Sequence, residues 1–284
     1  MVLNARMKRT VLALAAALAL GFAHQANAAN GPFKESYGGR GLYVYVPAHL
    51  PPAGQRALVV VLHGGMGSAG RIVTEKSESG LNMDKQADKD GFIVAYLNGT
   101  KVARFLRAKR KGWNAGGGCC GLPSKNNVND VAYIEGAVDN LAAEYGIDKR
   151  RVFGMGHSNG AMMTQRLMCE THLYAAGVAV SGPLNLRVDE CPAAKGARIL
   201  AIHGADDQNV PIGGGEGTKG LSRAVYSSEA HSKQVFEASG ASYTLDIVPN
   251  TDHKMDHISA AIAKTEGETV PQKAARFFGL DHPH

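Results

Sequence analysis

Residues 152–160, which read V-F-G-M-G-H-S-N-G, restrict the possible folds of this chain more than any other stretch. They read as a short apolar strand, a G-x-S-x-G turn and the start of a helix that is predicted over residues 159–170. Small residues at positions 156 and 160 allow a turn sharp enough to hold Ser158 in a strained conformation, with its hydroxyl exposed above a sheet. The adjacent helix start favours developing negative charge. The stretch therefore predicts a strand, turn and helix that present Ser158 as a nucleophile.

A glycine-rich loop follows an apolar run earlier in the chain. Residues 57–62 are apolar without interruption, as expected for a strand buried on both faces of a parallel sheet. They lead into H-G-G-M-G at residues 63–67. Glycines there would let backbone N–H groups approach a tetrahedral oxyanion. We expect one oxyanion donor from Gly65 or Met66 and the second from Asn159.

The candidate acid lies after another buried strand. Residues 198–202 form a compact apolar run, and the loop H-G-A-D-D follows at residues 203–207. A carboxylate just past the carboxyl end of a strand would lie on the active face. Asp207 is the preferred acid and Asp206 the alternative, although both side chains could simply form an Asx turn.

The candidate base lies after a further strand. Residues 243–248 alternate as a strand does, and they lead into a loop that contains His253. His257 is the alternative, but it already falls at the start of a helical stretch. The resulting chain order of nucleophile, acid and histidine is that of α/β-hydrolases.

Three further segments carry a resemblance to a known group of proteins. Residues 112–121 read G-W-N-A-G-G-G-C-C-G, residues 129–134 read N-D-V-A-Y-I, and residues 147–163 read I-D-K-R-R-V-F-G-M-G-H-S-N-G-A-M-M. They resemble the W-N-A-G...C-C-G, D-D-V-x-F/Y-I and I-D-x-x-R-V-Y/F-x-x-G-x-S-N-G motifs of the polyhydroxybutyrate depolymerase and feruloyl esterase group of α/β-hydrolases. The resemblance covers roughly residues 37–278. It implies one α/β-hydrolase domain with a mainly parallel central sheet flanked by helices.

The same resemblance implies a chemistry for the candidate residues. It indicates a serine esterase that hydrolyses carboxylic esters through an acyl-enzyme, with Ser158 as nucleophile, His253 as base and Asp207 orienting the imidazole. The implied substrate is polyhydroxyalkanoate (3-hydroxybutyrate) polymer or oligomers, with feruloyl or acetyl esters of plant polysaccharide as the alternative. We expect no cofactor and no metal. A secreted, non-catalytic binding protein on the same scaffold is a third hypothesis.

Two residues of the W-N-A-G segment are the predicted substrate-binding residues. Trp113 and Asn114 offer an amphipathic ring and an amide, which suit an ester chain or an aromatic acyl group; core packing is the alternative role for Trp113. The group usually carries H-x-W-P-G at the catalytic histidine, whereas this chain reads H-K-M-D-H at residues 253–257. Met255 therefore replaces a tryptophan that commonly helps to line the acyl or polymer site in relatives.

The N-terminus has the pattern of a secretory signal peptide. Three cations are followed by a run at residues 10–23 that is nearly all alanine and leucine, and then by A-N-A at residues 26–28. The apolar run is too short to be a comfortable transmembrane span. We therefore expect residues 1–28 to be a signal peptide and residues 29–284 to be the catalytic domain. The mature protein would be secreted or periplasmic, without stable membrane insertion.

The charge balance of the chain limits its partners. The formal net charge is +6, but three cations belong to the predicted signal peptide, which leaves about +3. This small excess does not support nucleic-acid binding. Six lysines and arginines cluster between Lys101 and Lys111. They could attract an anionic substrate or surface, or they could form an ordinary solvated loop.

The four cysteines are an even set, which makes disulfides plausible in an exported chain. Adjacent cysteines rarely bridge each other, so we expect Cys119 and Cys120 to reach towards Cys169 and Cys191, with the connectivity left open. The set contains no C-x-x-C pair and no nearby histidine at ligand spacing, which disfavours a metal site.

Overall fold

The computed structural model describes residues 32–75, 80–104, 110–220 and 224–281. The predicted signal peptide lies outside the described residues.

The strands are, in chain order, β1 Phe33–Tyr37, β2 Arg40–Tyr45, β3 Arg56–Leu62, β4 Ile93–Leu97, β5 Thr100–Lys101, β6 Lys111–Gly112, β7 Ile147–His157, β8 Ala176–Val180, β9 Arg198–Gly204, β10 Gly215–Glu216, β11 Val225–Tyr226 and β12 Ser242–Val248. The helices are α1 Ala69–Val73, α2 Asp84–Asp90, α3 Gly121–Lys125, α4 Asp130–Tyr145, α5 Asn159–Glu170, α6 Glu229–Ala238, α7 Met255–Glu266 and α8 Val270–Phe278, and a 3₁₀ helix covers Pro192–Ala194. Within the described ranges, no helix combines the length and the apolar character needed to cross a bilayer.

Eight of the strands form one sheet in the order β1-β2-β4-β3-β7-β8-β9-β12. β3 pairs in parallel with β4 and β7, and parallel pairing continues through β8 and β9 to β12. The β1 and β2 edge is antiparallel. Parallel neighbours need a crossover connection, and helices supply it here. The prediction of a mainly parallel central sheet flanked by helices is therefore confirmed.

Side chains of the central strands alternate between two hydrophobic cores, one on each face of the sheet. In β3, Leu58 and Val60 belong to the first core, and Val59 and Val61 belong to the second. Side chains of α4, α5 and α6 complete the first core, and those of α2, α7 and α8 complete the second. The uninterrupted apolar run of β3 thus marks a strand buried on both faces, as the sequence predicts.

The sequence pattern predicts helices over residues 131–144, 159–170, 228–239 and 270–278, and the structure agrees closely with these four. α5 and α8 have the expected bounds. α4 extends one residue beyond each end of the predicted 131–144, and α6 is one residue shorter at each end than the predicted 228–239. Capping explains where α4 and α6 begin, because the side chains of Asn129 and Ser228 accept hydrogen bonds from backbone N–H groups of the first turn.

Three strands of the sheet, β1, β2 and β8, have no sequence pattern that predicts a strand. β1 lies at the sheet edge with most of its side chains exposed, so it lacks a hydrophobic alternation. β8 reads A-G-V-A-V and is buried throughout, but its small residues resemble a loop as much as a strand. β2 is identified by its pairing with β1 and β4. The positions of these strands follow from their neighbours and not from their own composition.

The carboxyl ends of β3, β7, β9 and β12 meet at one edge of the sheet. Each end leads directly into a segment with candidate site residues. These segments are residues 63–67, the turn at Ser158, the loop that follows residue 204 and the loop that contains His253. Two small two-stranded sheets, β5 with β6 and β10 with β11, lie in the connections beside this edge. Parallel strand pairing therefore brings four distant parts of the chain to one place.

Candidate active site

The turn after β7 holds Ser158 in a backbone conformation that residues other than glycine rarely adopt, with φ 55° and ψ −123°. Glycines make the turn possible. A Cβ at Gly156 would collide with the backbone of Gly160, and a Cβ at Gly160 would collide with the carbonyl oxygen of Leu62 on β3. A Cβ at Gly182 would collide with the carbonyl oxygen of Ser158. Close backbone packing thus fixes the serine at the start of α5.

Ser158, His253 and Asp207 form one chain of hydrogen bonds. His253 Nε2 lies 2.9 Å from Ser158 Oγ, and His253 Nδ1 lies 2.7 Å from Asp207 Oδ2. A proton on Nδ1 is donated to the carboxylate, which leaves Nε2 as the acceptor that faces the hydroxyl. The structure therefore brings together the three residues that were selected from three separate loops.

The alternative acid and base both lie outside this chain of hydrogen bonds. Asp206 is exposed, and its backbone N–H donates to the carbonyl oxygen of Thr251 at 2.9 Å. His257 is also exposed, and its Nδ1 pairs with Asp252 Oδ1 at 2.9 Å. Neither side chain contacts the serine, so the geometry favours Asp207 and His253.

Asp207 fixes its own loop with one oxygen and orients His253 with the other. Its Oδ1 accepts hydrogen bonds from the backbone N–H groups of Asn209 and Val210, at 2.8 and 2.9 Å. The Asx turn considered from the sequence is therefore present and compatible with the second contact. Burial raises the pKa of Asp207, but hydrogen bonds from His203 and His253 outweigh burial and hold the pKa well below its ordinary value. The carboxylate thus stays ionised.

His157 links the turn at Ser158 to the loop that carries His253. Its Nε2 lies 2.7 Å from the carbonyl oxygen of His253, and the two imidazole rings are 5.0 Å apart. Burial and the neighbouring charge of His253 lower the pKa of His157 to about 4. His157 is therefore neutral at pH 7 and donates from Nε2. Sequence reasoning missed this contact, because nothing local distinguishes the residue from the other histidines.

Gly65 and Asn159 line the cavity beside Ser158, and their backbone N–H groups are the candidate oxyanion donors. In the described part of the chain, the N–H of Gly65 has no hydrogen-bond partner, and Asn159 is the first residue of α5, where an N–H has no acceptor within the helix. A Cβ at Gly65 would lie 3.7 Å from the Asn159 Cβ, so the two residues are neighbours. Met66 differs, because its N–H donates to the carbonyl oxygen of Lys111 at 2.8 Å. The prediction of Met66 as a possible oxyanion donor is therefore wrong, and Gly65 is the candidate.

Trp113 belongs to the core and does not line the cleft. Its side chain is fully buried, and its indole N–H donates to the carbonyl oxygen of His63 at 2.9 Å. Asn159 holds the Trp113 backbone on both sides, since Oδ1 accepts from the N–H at 2.7 Å and Nδ2 donates to the carbonyl at 3.1 Å. The predicted substrate-binding role of Trp113 is therefore wrong. The ring supports the glycine-rich loop that starts at His63.

Asn114 is also a structural residue, and its predicted role in substrate binding is wrong. Its backbone N–H donates to Asp130 Oδ2 at 2.7 Å, and its side-chain Nδ2 donates to the carbonyl oxygen of Val128 at 3.0 Å. Its own carbonyl accepts a hydrogen bond from Arg166 at 2.8 Å. The residue is buried. Its backbone atoms tie α4 to α5, and it is not among the residues that line the cavity beside Ser158.

The cysteines pair differently from the expectation. Cys169, near the end of α5, is bonded to Cys191 with a Cα–Cα distance of 4.4 Å, and Cys119 is bonded to Cys120. The expectation that the adjacent pair reaches towards Cys169 and Cys191 is wrong, because those two residues already join α5 to the segment before β9. Among the described residues, no cluster of three or more His, Cys, Asp or Glu is arranged to hold a metal ion.

A cavity of about 480 Å³ opens beside Ser158. Its apolar side chains come from segments that are far apart in the chain, namely Val102, Ala103, Met162, Val210 and Tyr226. Lys219 also lines the cavity, and none of the described lining residues is an aspartate or glutamate. Sequence reasoning missed this wall, because single apolar residues in loops form no periodic pattern. The cavity places a mainly apolar surface next to the serine hydroxyl.

The basic segment between Lys101 and Lys111 is described only at its two ends. Lys101 and Lys111 pair across β5 and β6, and the backbone of Lys111 bonds to Met66 and Gly67. Lys111 therefore holds the glycine-rich loop in place. Two cations of the segment, Arg107 and Lys109, lie outside the described residues. Attraction of an anionic substrate or surface stays a prediction.

Comparisons with known proteins find similarity to several hydrolases. A model of the prolyl oligopeptidase family matches residues 122–195. Acetylxylan esterase A of Emericella nidulans is 33% identical over 146 residues, which cover 50% of this chain and 42% of that protein. Poly(3-hydroxybutyrate) depolymerase of Ralstonia pickettii is 30% identical over 147 residues, which cover 50% of this chain and 28% of that protein. The chain thus matches less than half the length of these curated relatives.

A solved structure supports the fold over most of the chain. The crystal structure of LpqC, a poly(3-hydroxybutyrate) depolymerase from Bordetella parapertussis, superposes with a TM-score of 0.52 at 17% sequence identity, and covers 85% of this chain and 92% of that chain. Together with the strand order, this likeness confirms the α/β-hydrolase fold. The similarity in sequence to the group that contains polyhydroxybutyrate depolymerases is confirmed as well.

Proposed function

We propose that this chain is a serine esterase that hydrolyses carboxylic esters through an acyl-enzyme. The observation on which the proposal rests is the chain of hydrogen bonds from Ser158 through His253 to Asp207, at 2.9 and 2.7 Å. The N–H groups of Gly65 and Asn159 lie next to it and are suited to an oxyanion. Nucleophile, base, orienting carboxylate and oxyanion donors are the parts that acyl transfer requires.

Each part has a defined step in the proposed mechanism. Ser158 Oγ attacks the ester carbonyl carbon while His253 Nε2 accepts the hydroxyl proton, and Asp207 stabilises the imidazolium that forms. The oxyanion accepts hydrogen bonds from Gly65 and Asn159; one such donor is typically worth about 100- to 1000-fold in turnover. The alcohol then leaves with the proton from His253, and the acyl group stays on Ser158. Water repeats the sequence, which releases the acid and restores the serine.

The lining of the cavity favours a short aliphatic acyl group. Val102, Ala103 and Met162 present small or flexible apolar surface, and a volume of about 480 Å³ lies within the range of ordinary ligand pockets. We propose 3-hydroxybutyrate oligomers of a polyhydroxyalkanoate as the substrate, in line with the relative of that name. The alternative is an acetyl or feruloyl ester of plant polysaccharide, and the similarity to an acetylxylan esterase supports the acetyl ester.

The altered histidine loop was the reason to consider a non-catalytic binding protein. Met255 is buried at the start of α7 and packs into the second core. The substitution therefore falls on the core side of the loop, and the 2.9 Å contact between His253 and Ser158 argues against the non-catalytic alternative. We also propose export to the periplasm or the medium, where the bond between Cys169 and Cys191 would persist.

Hydrolysis of four esters by the purified mature chain tests the proposal. The panel contains p-nitrophenyl butyrate, methyl ferulate, acetylated xylan and a linear 3-hydroxybutyrate oligomer. Ser158→Ala removes the nucleophile, and Ser36→Ala on the exposed edge strand β1 is the matched control. We expect the wild type and the control to cleave the oligomer, and Ser158→Ala to be inactive. Selective cleavage of acetylated xylan would identify acetyl esters of polysaccharide as the substrate. If none of the four esters is cleaved, the proposed function is wrong.

A further inference from the structure

A second histidine, which is fully buried, contacts the carboxylate of Asp207. His203 lies on β9 and is fully buried. Its Nε2 is 3.1 Å from Asp207 Oδ2 and 2.9 Å from the carbonyl oxygen of Val210. Its Nδ1 is 2.7 Å from Glu229 Oε1. The same oxygen of Asp207 therefore faces two imidazoles, one on each side.

Glu229 completes this arrangement from α6. The side chain is buried, at the first position of the helix. Its Oε1 contacts His203, and its Oε2 accepts a hydrogen bond from the Tyr243 hydroxyl at 2.6 Å. Burial and the neighbouring carboxylate raise the pKa of Tyr243 well above its ordinary value, so the hydroxyl remains a donor. Both side-chain oxygens of Glu229 therefore have a hydrogen-bond partner.

The partners of His203 determine its protonation state. Nδ1 faces a carboxylate, and Nε2 faces a carbonyl oxygen and a second carboxylate. The Val210 carbonyl oxygen can only accept, so Nε2 is a donor, and Nδ1 is a donor as well when Glu229 is a carboxylate. Burial alone would lower the pKa of His203, but hydrogen bonds to Asp207 and Glu229 outweigh burial and raise the pKa to about 9. The contacts of both ring nitrogens thus suit a buried imidazolium between two carboxylates.

We propose that His203 is a permanently protonated imidazolium which, anchored by Glu229, acts as a positioning residue that holds the Asp207 carboxylate towards His253. This inference rests on the proposed function, because it assigns a role within the same triad. His203 touches neither the serine nor the cavity; it acts through Asp207. The positive charge of His203 alone would oppose the positive charge that forms on His253. The negative charge of Glu229 offsets it, so Asp207 can still stabilise the His253 imidazolium.

The arrangement predicts how the pH profile responds when the cation is removed. The titratable groups that face His203 are Asp207 and Glu229, with Tyr243 behind Glu229, and His253 and His157 beyond Asp207. Without the imidazolium, the two carboxylates attract a proton on His253 more strongly. The acidic limb of kcat/KM must then move to higher pH. A purely structural role for His203 would lower the amount of folded protein without moving that limb.

Protonation of His203 can be measured without any ester substrate. Heteronuclear NMR of the wild-type chain with ¹⁵N-labelled histidine reports whether each ring nitrogen carries a proton, and His203→Gln assigns the signals. We expect both nitrogens of His203 to stay protonated between about pH 6 and 8, where an isolated histidine loses a proton. A singly protonated ring at pH 7 would overturn the inference. This readout is independent of catalysis, so it fails separately from the proposed function.

Glu229→Gln provides a second variant if His203→Gln does not fold. It removes the anchoring charge but keeps the shape of the side chain. We expect the pH at which one buried histidine loses its second proton to fall by about one unit or more, which also assigns the signal to His203. A titration unchanged by Glu229→Gln would show that Glu229 does not hold the proton, and would overturn the anchoring role.

Steady-state kinetics test the positioning role in the folded His203→Gln variant. We expect kcat to fall about 10- to 100-fold with KM within about twofold, and the acidic limb of kcat/KM to move up by about 0.5–1 pH unit. His231→Gln is the matched control, because His231 lies on α6 beside Glu229 but bonds to Leu186 and not to the cluster. The control should keep the wild-type profile. A folded His203→Gln variant with the wild-type kcat and an unshifted acidic limb in the pH profile of kcat/KM would refute the positioning role.

Discussion

His157 Nε2 lies 2.7 Å from the carbonyl oxygen of His253, so the residue before the proposed nucleophile holds the backbone of the proposed base. His157→Phe keeps the ring volume but removes this hydrogen bond. An unpaired carbonyl would loosen the histidine loop, and we expect kcat/KM to fall about tenfold, which corresponds to about 1.4 kcal/mol. Kinetics with p-nitrophenyl butyrate measure the effect. A variant with full activity would show that the contact does not position His253.

Acid should destabilise the fold through two neutral histidines, His63 and His157. Burial lowers the pKa values of His63 and His157 to about 4, from an ordinary value of 6.5. Between these values the unfolded chain binds more protons than the folded chain, so stability is lost as the pH falls from 6.5 towards 4. We expect a decrease of roughly 2–5 kcal/mol between pH 7 and about 4.5.

Urea unfolding at the two pH values measures this decrease. His157→Phe removes one of the two groups, so its free energy of unfolding should depend less on pH than that of the wild type. His172→Gln is the control, since His172 is exposed, and it should behave as the wild type does. Equal pH dependence in all three proteins would argue against a neutral, buried His157.

Trp113→Phe separates a core role from a role in substrate binding. The substitution leaves the carbonyl oxygen of His63 without its indole donor and leaves unfilled space in the core. We expect the free energy of unfolding to fall by about 1–3 kcal/mol, and KM to change by less than about twofold. Val102→Ala, in the wall of the cavity, should give the reverse pattern. A large rise in KM for Trp113→Phe at unchanged stability would restore the substrate-binding role.

The bond between Cys169 and Cys191 should stabilise the fold without contributing to catalysis. It closes a loop with a sequence separation of 22 residues, and a loop of this size is typically worth about 3 kcal/mol. We expect the double variant Cys169→Ala with Cys191→Ala to unfold at a lower temperature, by an amount that corresponds to about 3 kcal/mol. Its kcat should stay close to the wild-type value. An unchanged unfolding temperature would contradict this account.

Local patterns were enough to select the residues that the structure brings together at the site. Ser158 lies in a turn whose glycines are required by close backbone contacts, and Asp207 and His253 lie in the loops that follow two apolar strands. The carboxyl ends of parallel strands meet at one edge, so the position of a residue after a strand predicts its place in space. The parts of the site that depend on this rule could be read from the sequence.

Other features depend on contacts between distant segments, and the sequence could not reveal them. Nothing local shows whether the ring of Trp113 points into the core or the cleft, and the N–H of Met66 is taken by Lys111 through a long-range loop contact. The pair of His203 and Glu229 joins β9 to α6. Its one sequence signal is a histidine at the end of an apolar strand together with a glutamate at a helix start, and both features are common in exposed positions.

Labelling with a serine-directed organophosphonate tests the central claim most directly, because only an activated serine next to oxyanion donors reacts quickly. The folded chain is treated with the reagent, and the adduct is mapped by mass spectrometry in the wild type, in Ser158→Ala and in His253→Gln. We predict one adduct for each wild-type chain, located on Ser158, none in Ser158→Ala, and much slower labelling in His253→Gln. A folded wild-type chain that stays unlabelled, or that is labelled on another residue, would contradict the proposed catalytic site.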